Sequence, residues 1–301
     1  MTRAHLAAAA AGVQVGTALV ASQAVVTETG AGALGLARYA IASLVVAPVA
    51  LAARGEAVQR RDLLPLVLIG IGQFGVLIAL LNLAVVHASS AQVALVFATL
   101  PLATVAVAWA LERQHVDGRA IAAIVVSVAG VGVLLGGDAW AGDLPARTMR
   151  GLGCAALATL TGAVCSVLYR PYLRRYGVAR VSAVAMVASL PALALLAGIE
   201  GAPLPVTLWP RSTVALVVAI GLSSGVGYLL WLYALQRVSA GVATAFLALS
   251  PVTAVVVSAV ALDTPPSPAL AVASVLVVAS LAMLAVHRNP DPGAPADGPR
   301  T

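Results

Sequence analysis

A layout that recurs after 150 residues constrains this chain more than any other feature. Residues 79–111 read ALLNLAVVHASSAQVALVFATLPLATVAVAWAL: two apolar arms, a short polar turn, and a proline within the second arm. Residues 229–261 repeat the layout without a gap as LLWLYALQRVSAGVATAFLALSPVTAVVVSAVA. At that offset Gly75 meets Gly225, Ala84 meets Ala234, Ser89 meets Ser239, Ala98 meets Ala248 and Pro101 meets Pro251. Matched aliphatics carry little information in a chain so rich in Ala, Val and Leu. A matched glycine, turn serine and proline carry more, and they point to two copies of one unit.

Composition says what solvent that unit faces. Of 301 residues, 61% are hydrophobic and 9% charged, against about 25% charged in a soluble domain. Such a chain cannot cover itself with charge, so lipid is expected to face most of its exterior. Ten runs have the length and apolarity of spanning helices, at about 4–26, 34–53, 64–86, 91–111, 120–135, 152–169, 181–199, 213–235, 242–262 and 270–286. They are continuously apolar rather than alternating, which excludes a strand barrel. The fifth and sixth are short or glycine-broken. The first exceeds a signal-peptide core, and losing it would break the repeat, so it is read as a span.

All 17 basic residues are arginine, and net charge is +6. The arginines form short clusters between apolar runs, not the single patch that nucleic acid would need. With the N-terminus placed in the cytoplasm, inner segments hold thirteen of them, including Arg54, Arg60, Arg61, Arg170, Arg174, Arg175 and Arg180. The outer side keeps Arg38, Arg147, Arg150 and Arg211. That bias places both termini inside. Five spans per copy is an odd number, so the second copy enters from the opposite face. The expected fold is an all-α membrane protein of ten transmembrane helices in two inverted five-helix repeats, an arrangement common in secondary transporters. The first repeat covers 1–137 and the second 151–288. Between them lies an outer linker, 138–150, and after them a disordered cytoplasmic tail, 289–301, of Pro/Gly/Asp-rich composition.

Three passages resemble a known family. LARYAIASLVVAPVAL from Leu36 carries an Arg-aromatic pair near the start of a second helix. HASSAQVALVFATLPLATVAVAWALERQHVDGRAIAAIVVSVAGVGVLL from His87 has a proline-bearing fourth helix, a glutamate after it and a Gly-rich fifth helix. GCAALATLTGAVCSVLYRPYLRR from Gly153 matches the start of a second repeat. Together they resemble the drug/metabolite transporter superfamily, in particular its EamA-type ten-helix permeases, across nearly the whole chain. Two positions depart from the family. Val15 stands where a Trp often precedes the glycine of the first helix, and Leu262 stands where the glutamate often recurs. The resemblance implies export of small metabolites such as amino acids from a cavity lined mainly by the first, third, fourth, sixth, eighth and ninth helices. It also implies a multi-pass protein of the cell membrane.

Several residues are candidates for that cavity. Arg38 lies well inside an apolar run, where charge is costly and usually faces protein or water. It could meet a substrate carboxylate or phosphate, or it could pair with Glu28, cap helix-end carbonyls or snorkel outward. Gln14, Gln73 and Asn82 carry amides that lipid cannot satisfy. Thr17, Thr99, Thr104, Thr159, Thr161, Ser166, Ser223, Ser224, Thr244 and Ser250 are also deep, but a hydroxyl can bond its own helix. Tyr228 and Trp231 share a helix face and could stack on a planar solute; the alternative is an interfacial aromatic belt. Pro101 and Pro251 each remove a helix hydrogen bond and are hinge candidates. Pro48 and Pro191 sit similarly in the second and seventh runs. Glu112 and Arg113 either gate or simply end the fourth span in water. Gly12–Gly16 and Gly221–Gly225 are spacings for close helix approach.

Neither of two enzyme motifs, HExxH or the Walker loop, occurs. His5, His87, His115 and His287 sit at run ends, so neither a metal nor another cofactor is expected. Cys154 and Cys165 read as small core residues. No Asp or Glu falls at mid-membrane, so coupling would use edge groups such as Glu28 or Glu112, or the protein is a facilitator. The expected partners are a small-molecule substrate and the bilayer, without nucleic acid, and a homodimer is compatible with the chain. Rival readings are a carrier for phosphorylated, nucleotide-linked or lipid-carrier substrates, or a membrane receptor or intramembrane enzyme.

Overall fold

Two single-residue turns join helices in the same backbone conformation. The structure, a computed structural model, describes residues 3–53, 56–112, 118–140, 145–201, 209–235, 237, 246, 249–263 and 266–285. Helix α1 (Arg3–Thr29) passes to α2 (Ala31–Ala52) through Gly30 alone, at φ 79°, ψ 157°. Helix α8 (Ala146–Tyr176) passes to α9 (Val178–Ile199) through Gly177 alone, at φ 78°, ψ 152°. That backbone region is open essentially only to glycine.

Between these pairs run α3 (Arg60–Gly70), a π-helical turn (Ile71–Val76), α4 (Leu77–His87), α5 (Ser90–Phe97), α6 (Leu100–Glu112) and α7 (Gly118–Trp140). After α9 come α10 (Arg211–Leu235), α11 (Leu249–Ala261) and α12 (Pro268–Ala285). Among the described residues all regular structure is helical. The turn into α5 is fixed by a reciprocal cap. Ser89 Oγ accepts from Gln92 N at 3.3 Å, and Gln92 Oε1 accepts from Ser89 N at 3.1 Å.

Seven segments are long and apolar enough to cross a membrane, counting α3–α4 as one and α5–α6 up to Leu111 as another. Gly118–Leu134, Leu249–Ala261 and Pro268–Met283 are shorter apolar helices. The outer surface suits lipid: Leu51 is 85% exposed, Val260 84% and Leu44 74%. Such residues facing water would be an aggregation surface.

Three details differ from the sequence-based expectations. The fourth run is two helices, because Ala98 and Thr99 turn between α5 and α6, and the Thr99 hydroxyl closes the turn on the Val96 carbonyl at 2.7 Å. Pro101 therefore stands in the first turn of α6, where its missing N–H is tolerated, rather than mid-helix. Pro251 is the third described residue of α11, and residues 247–248 before it lie outside the described residues. The fifth and sixth runs are long continuous helices. Within the 138–150 linker, α7 reaches Trp140 and α8 starts right after Pro145, where Ala146, Arg147, Met149 and Arg150 are good helix formers; residues 141–144 lie outside the described residues. Arg113, His115, Ser239, Thr244, Ala248, His287 and the 289–301 tail lie outside the described residues, as does the side chain of Glu112.

Packing follows a crossed pattern. Helix α10 lies against α1 and α2, while the α3–α4 segment lies against α8 and α9. Helix α2 meets α9, α1 meets α11, α6 meets α8, and α7 and α12 pair chiefly with each other. Small residues permit the close approaches. A Cβ on Gly221 would meet Ile41 at 2.7 Å, one on Gly225 would meet Val45 at 2.6 Å, and one on Gly16 would collide with the Ser250 carbonyl.

The two ends of the bundle are tied differently. At one end, Asp62 in the first turn of α3 accepts from the Tyr176 hydroxyl and pairs with Arg175 at 3.2 Å. Arg180 there donates to the backbone carbonyls of Ala53 and Glu56. At the other end, Glu200 accepts from Gly32 N at 2.9 Å, Glu28 accepts from the Thr213 hydroxyl, and Arg147 donates to the Val86 carbonyl at 2.7 Å. These carboxylates sit at helix N-termini and these cations at C-terminal carbonyls, the favourable polarity at each.

Candidate functional site

Inside the bundle is a cavity of about 170 Å³. Helix α1 presents Ala11, Gln14, Val15 and Leu19 to it, which helical periodicity places on one face. Helix α2 presents Arg38 and Tyr39; the π turn presents Gln73 and Phe74; α4 presents Leu77, Ile78 and Leu81. Phe97, the last residue of α5, and Met186 of α9 complete one side, and Ser224, Gly227, Tyr228 and Trp231 of α10 the other. The π turn lies within this wall. Its extra residue per turn interrupts the α register between α3 and α4, a feature often found at functional sites.

Two polar side chains converge on the hydroxyl of a third. Arg38 Nε donates to Ser224 Oγ at 2.8 Å, Gln14 Nε2 reaches the same atom at 3.5 Å, and the Ser224 hydroxyl donates to the Ile220 carbonyl at 2.6 Å. Ser224 thus fixes the guanidinium through Nε. Among the described residues no acidic side chain lies within ion-pair distance of Arg38. Glu28, one partner the sequence suggested for it, is occupied by Thr213. Gln73 Oε1 is buried without a hydrogen-bond partner.

Aromatic rings form a continuous wall. Tyr39 and Phe74 stand 5.3 Å apart, and Phe74 meets Tyr228 edge-on at 6.0 Å. The Tyr228 hydroxyl is bonded to Ser182 Oγ at 2.5 Å. The Arg38 guanidinium lies 5.6 Å from the Tyr39 ring centre, within cation–π range. Gly227 leaves room for Gln14, since a Cβ there would come within 2.7 Å of Gln14 Oε1.

Five of the six sequence candidates, Gln14, Arg38, Gln73, Tyr228 and Trp231, therefore share one wall system. Asn82 does not. It is 1% exposed, and its Nδ2 donates to the Ala31 carbonyl at 2.9 Å, so its amide ties α4 to the start of α2. Pro101 and Pro251 do not line the cavity either. The second and seventh spans, α2 and α9, contribute lining residues, whereas α8 and the described part of α11 do not. Tight packing explains part of this: Gly162 of α8 sits under Leu77 and Leu100, and Gly151 under Ala88. Phe74, Phe97 and Gly227 were not singled out from sequence, and Tyr39 only as the aromatic of the Arg-aromatic pair. An aromatic beside a lone buried cation or amide was the signal that could have found Tyr39 and Phe74. No three His, Cys, Asp or Glu side chains converge among the described residues.

The lining also carries the 150-residue offset. Ser224, Gly227, Tyr228 and Trp231 each lie 150 residues after another lining residue: Phe74, Leu77, Ile78 and Leu81.

Comparison with known proteins agrees on the kind of protein. The family model described as "EamA-like transporter family" matches twice, over residues 2–136 and 149–286. A protein of Streptantibioticus cattleyicolor named "Probable terminal-alkyne amino-acid exporter" is 31% identical over 263 residues, covering 85% of this chain and 84% of its own. A solved crystal structure at 25% identity covers 93% of this chain and 95% of its own, with a TM-score of 0.66.

Proposed function

The chain belongs to the EamA-like transporter family, and from that premise we propose that it is a secondary transporter of the cell membrane that exports small metabolites such as amino acids by alternating access. It is a transporter and not an enzyme. The reading takes the ten apolar segments as ten spans in two inverted five-helix repeats, with both termini cytoplasmic. The two-fold family match, the paired glycine turns and the crossed packing of α10 and α3–α4 support it.

One observation carries the assignment of the solute site. Matched positions on the π turn and α4, and on α10, face one cavity, and the lone cation and two amides of the core lie in its wall. Symmetric carriers hold their solute between repeats in this way. Gln14, Arg38, Gln73, Tyr228 and Trp231 are the binding side chains in this account. Pro101 and Pro251 are the hinges in this account, because a proline interrupts the helix hydrogen-bond ladder. The amino-acid class rests on the name of the S. cattleyicolor relative. A phosphorylated substrate fits less well, since Arg38 is the one cation in the lining.

Overexpression followed by growth and efflux assays across toxic amino-acid analogues and common metabolites tests the proposal. Protein-dependent resistance and release of a small set of solutes is expected. A panel without any protein-dependent release would overturn it.

A further inference from the structure

The chemistry of the cavity wall narrows its solute, given the transport reading above. Among the described residues the lining holds one cation, Arg38, and no carboxylate. Ser224 occupies the guanidinium at Nε, and among the described residues the two terminal nitrogens have no partner. A guanidinium offered this way matches a carboxylate in bidentate geometry. Gln73 Oε1 is a buried acceptor without a donor, a costly state that a ligand N–H or O–H would relieve. The two groups line the same cavity. The rest of the wall is apolar or aromatic, with Leu19, Leu77, Phe97 and Met186 among it.

We propose that the cavity selects solutes carrying one carboxylate with a hydrogen-bond donor beside it and an otherwise uncharged, apolar body: an amino or hydroxy acid with a neutral side chain. Arg38 takes the carboxylate, Gln73 Oε1 takes the neighbouring donor, and the rings of Tyr39, Phe74 and Tyr228 flank it. An ammonium donor gains cation–π attraction there, so it outranks a hydroxyl. A second carboxylate finds no second cation. A cationic side chain finds no anion and meets Arg38. Both classes are therefore excluded on charge, not on size.

Thermal-shift titration of the purified full-length protein in detergent reads this independently of transport. The probes are norvaline, 2-hydroxypentanoate, pentanoate, norvalinamide, glutamate and lysine. Norvaline should bind tightest, 2-hydroxypentanoate next and pentanoate several-fold weaker, in line with the loss of one hydrogen bond. Norvalinamide, glutamate and lysine should be weaker than norvaline by roughly tenfold or more, the scale of a lost charge-assisted pair. Arg38→Gln should erase the preference for norvaline over norvalinamide, whereas Arg38→Lys retains part of it. Gln73→Leu should narrow the preference for norvaline over pentanoate. The unliganded melting temperature of each variant reports folding. Equal binding of norvaline and norvalinamide, an Arg38→Gln protein that binds norvaline like the parent, or no saturable shift with norvaline would each overturn the proposal. Arg38-dependent binding in a protein that shows no flux would support it while overturning the transport reading.

Discussion

Residues 73–81 and 223–231 occupy equivalent places on the cavity wall and differ in nearly every side chain that touches it. Phe74 corresponds to Ser224, Leu77 to Gly227, Ile78 to Tyr228 and Leu81 to Trp231. The glycine between them is kept: Gly75 corresponds to Gly225. The offset is shared by positions on the cavity wall, and the unmatched side chains set what it can hold. One side supplies the Gln73 amide, an aromatic and three aliphatics. The other supplies the hydroxyl that fixes Arg38, the gap that admits Gln14, and two large amphipathic rings.

Even the retained glycine is not used equally, and this gives the sharpest contrast between the two stretches. A Cβ on Gly225 would lie 2.6 Å from Val45 Cβ and 3.2 Å from the Ala42 carbonyl, between two helix backbones that cannot easily part. Gly225→Ala should cost about 1–3 kcal/mol, the range for overpacking, and lower the melting temperature. Next comes Ser224→Ala. It removes the acceptor from a charged donor, worth about 1.5–3 kcal/mol, so the apparent KM of flux should rise about tenfold or more with the melting temperature nearly unchanged. Phe74→Ala should not show this split, because Phe74 is 7% exposed and packs on two rings; both flux and stability should fall. Gly227→Ala should displace Gln14 and raise KM a few-fold while the fold is kept, since the obstructing atom is the tip of a side chain. The smallest effect is expected at Gly75→Ala, within about 0.5 kcal/mol, because its nearest contacts are at 3.7–3.8 Å. Equal losses at Gly75 and Gly225 would break the comparison.

Much of this was legible in the sequence because lipid is an unforgiving solvent. Polar groups inside apolar runs are few, and each must face something polar. That reasoning found Arg38, Gln14 and Gln73, and the aromatic pair Tyr228 and Trp231. It also picked Asn82, whose amide instead bonds the Ala31 carbonyl 51 residues away, a contact that no local pattern reveals. Ser224 was grouped with hydroxyls that bond their own helix. It does bond Ile220, yet the same oxygen also accepts from Arg38. The π turn was hidden because IGQFGV has the composition of ordinary α-helix, and its register shift depends on packing against α9 and α8. The break at Ala98–Thr99 was half legible: Pro101 announced a disturbance, but whether a helix bends or stops depends on what receives the freed groups. Here Thr99 receives them, with both its N–H and its hydroxyl on the Val96 carbonyl.

Counterflow in proteoliposomes tests the central claim most directly. Vesicles containing the protein are loaded with unlabelled norvaline and diluted into a trace of labelled norvaline. A carrier that alternates around the cavity should give a transient, protein-dependent accumulation of label, lost in Arg38→Gln and kept in Gly75→Ala. No accumulation by folded protein, with norvaline or any other solute of an amino-acid panel, would contradict the account.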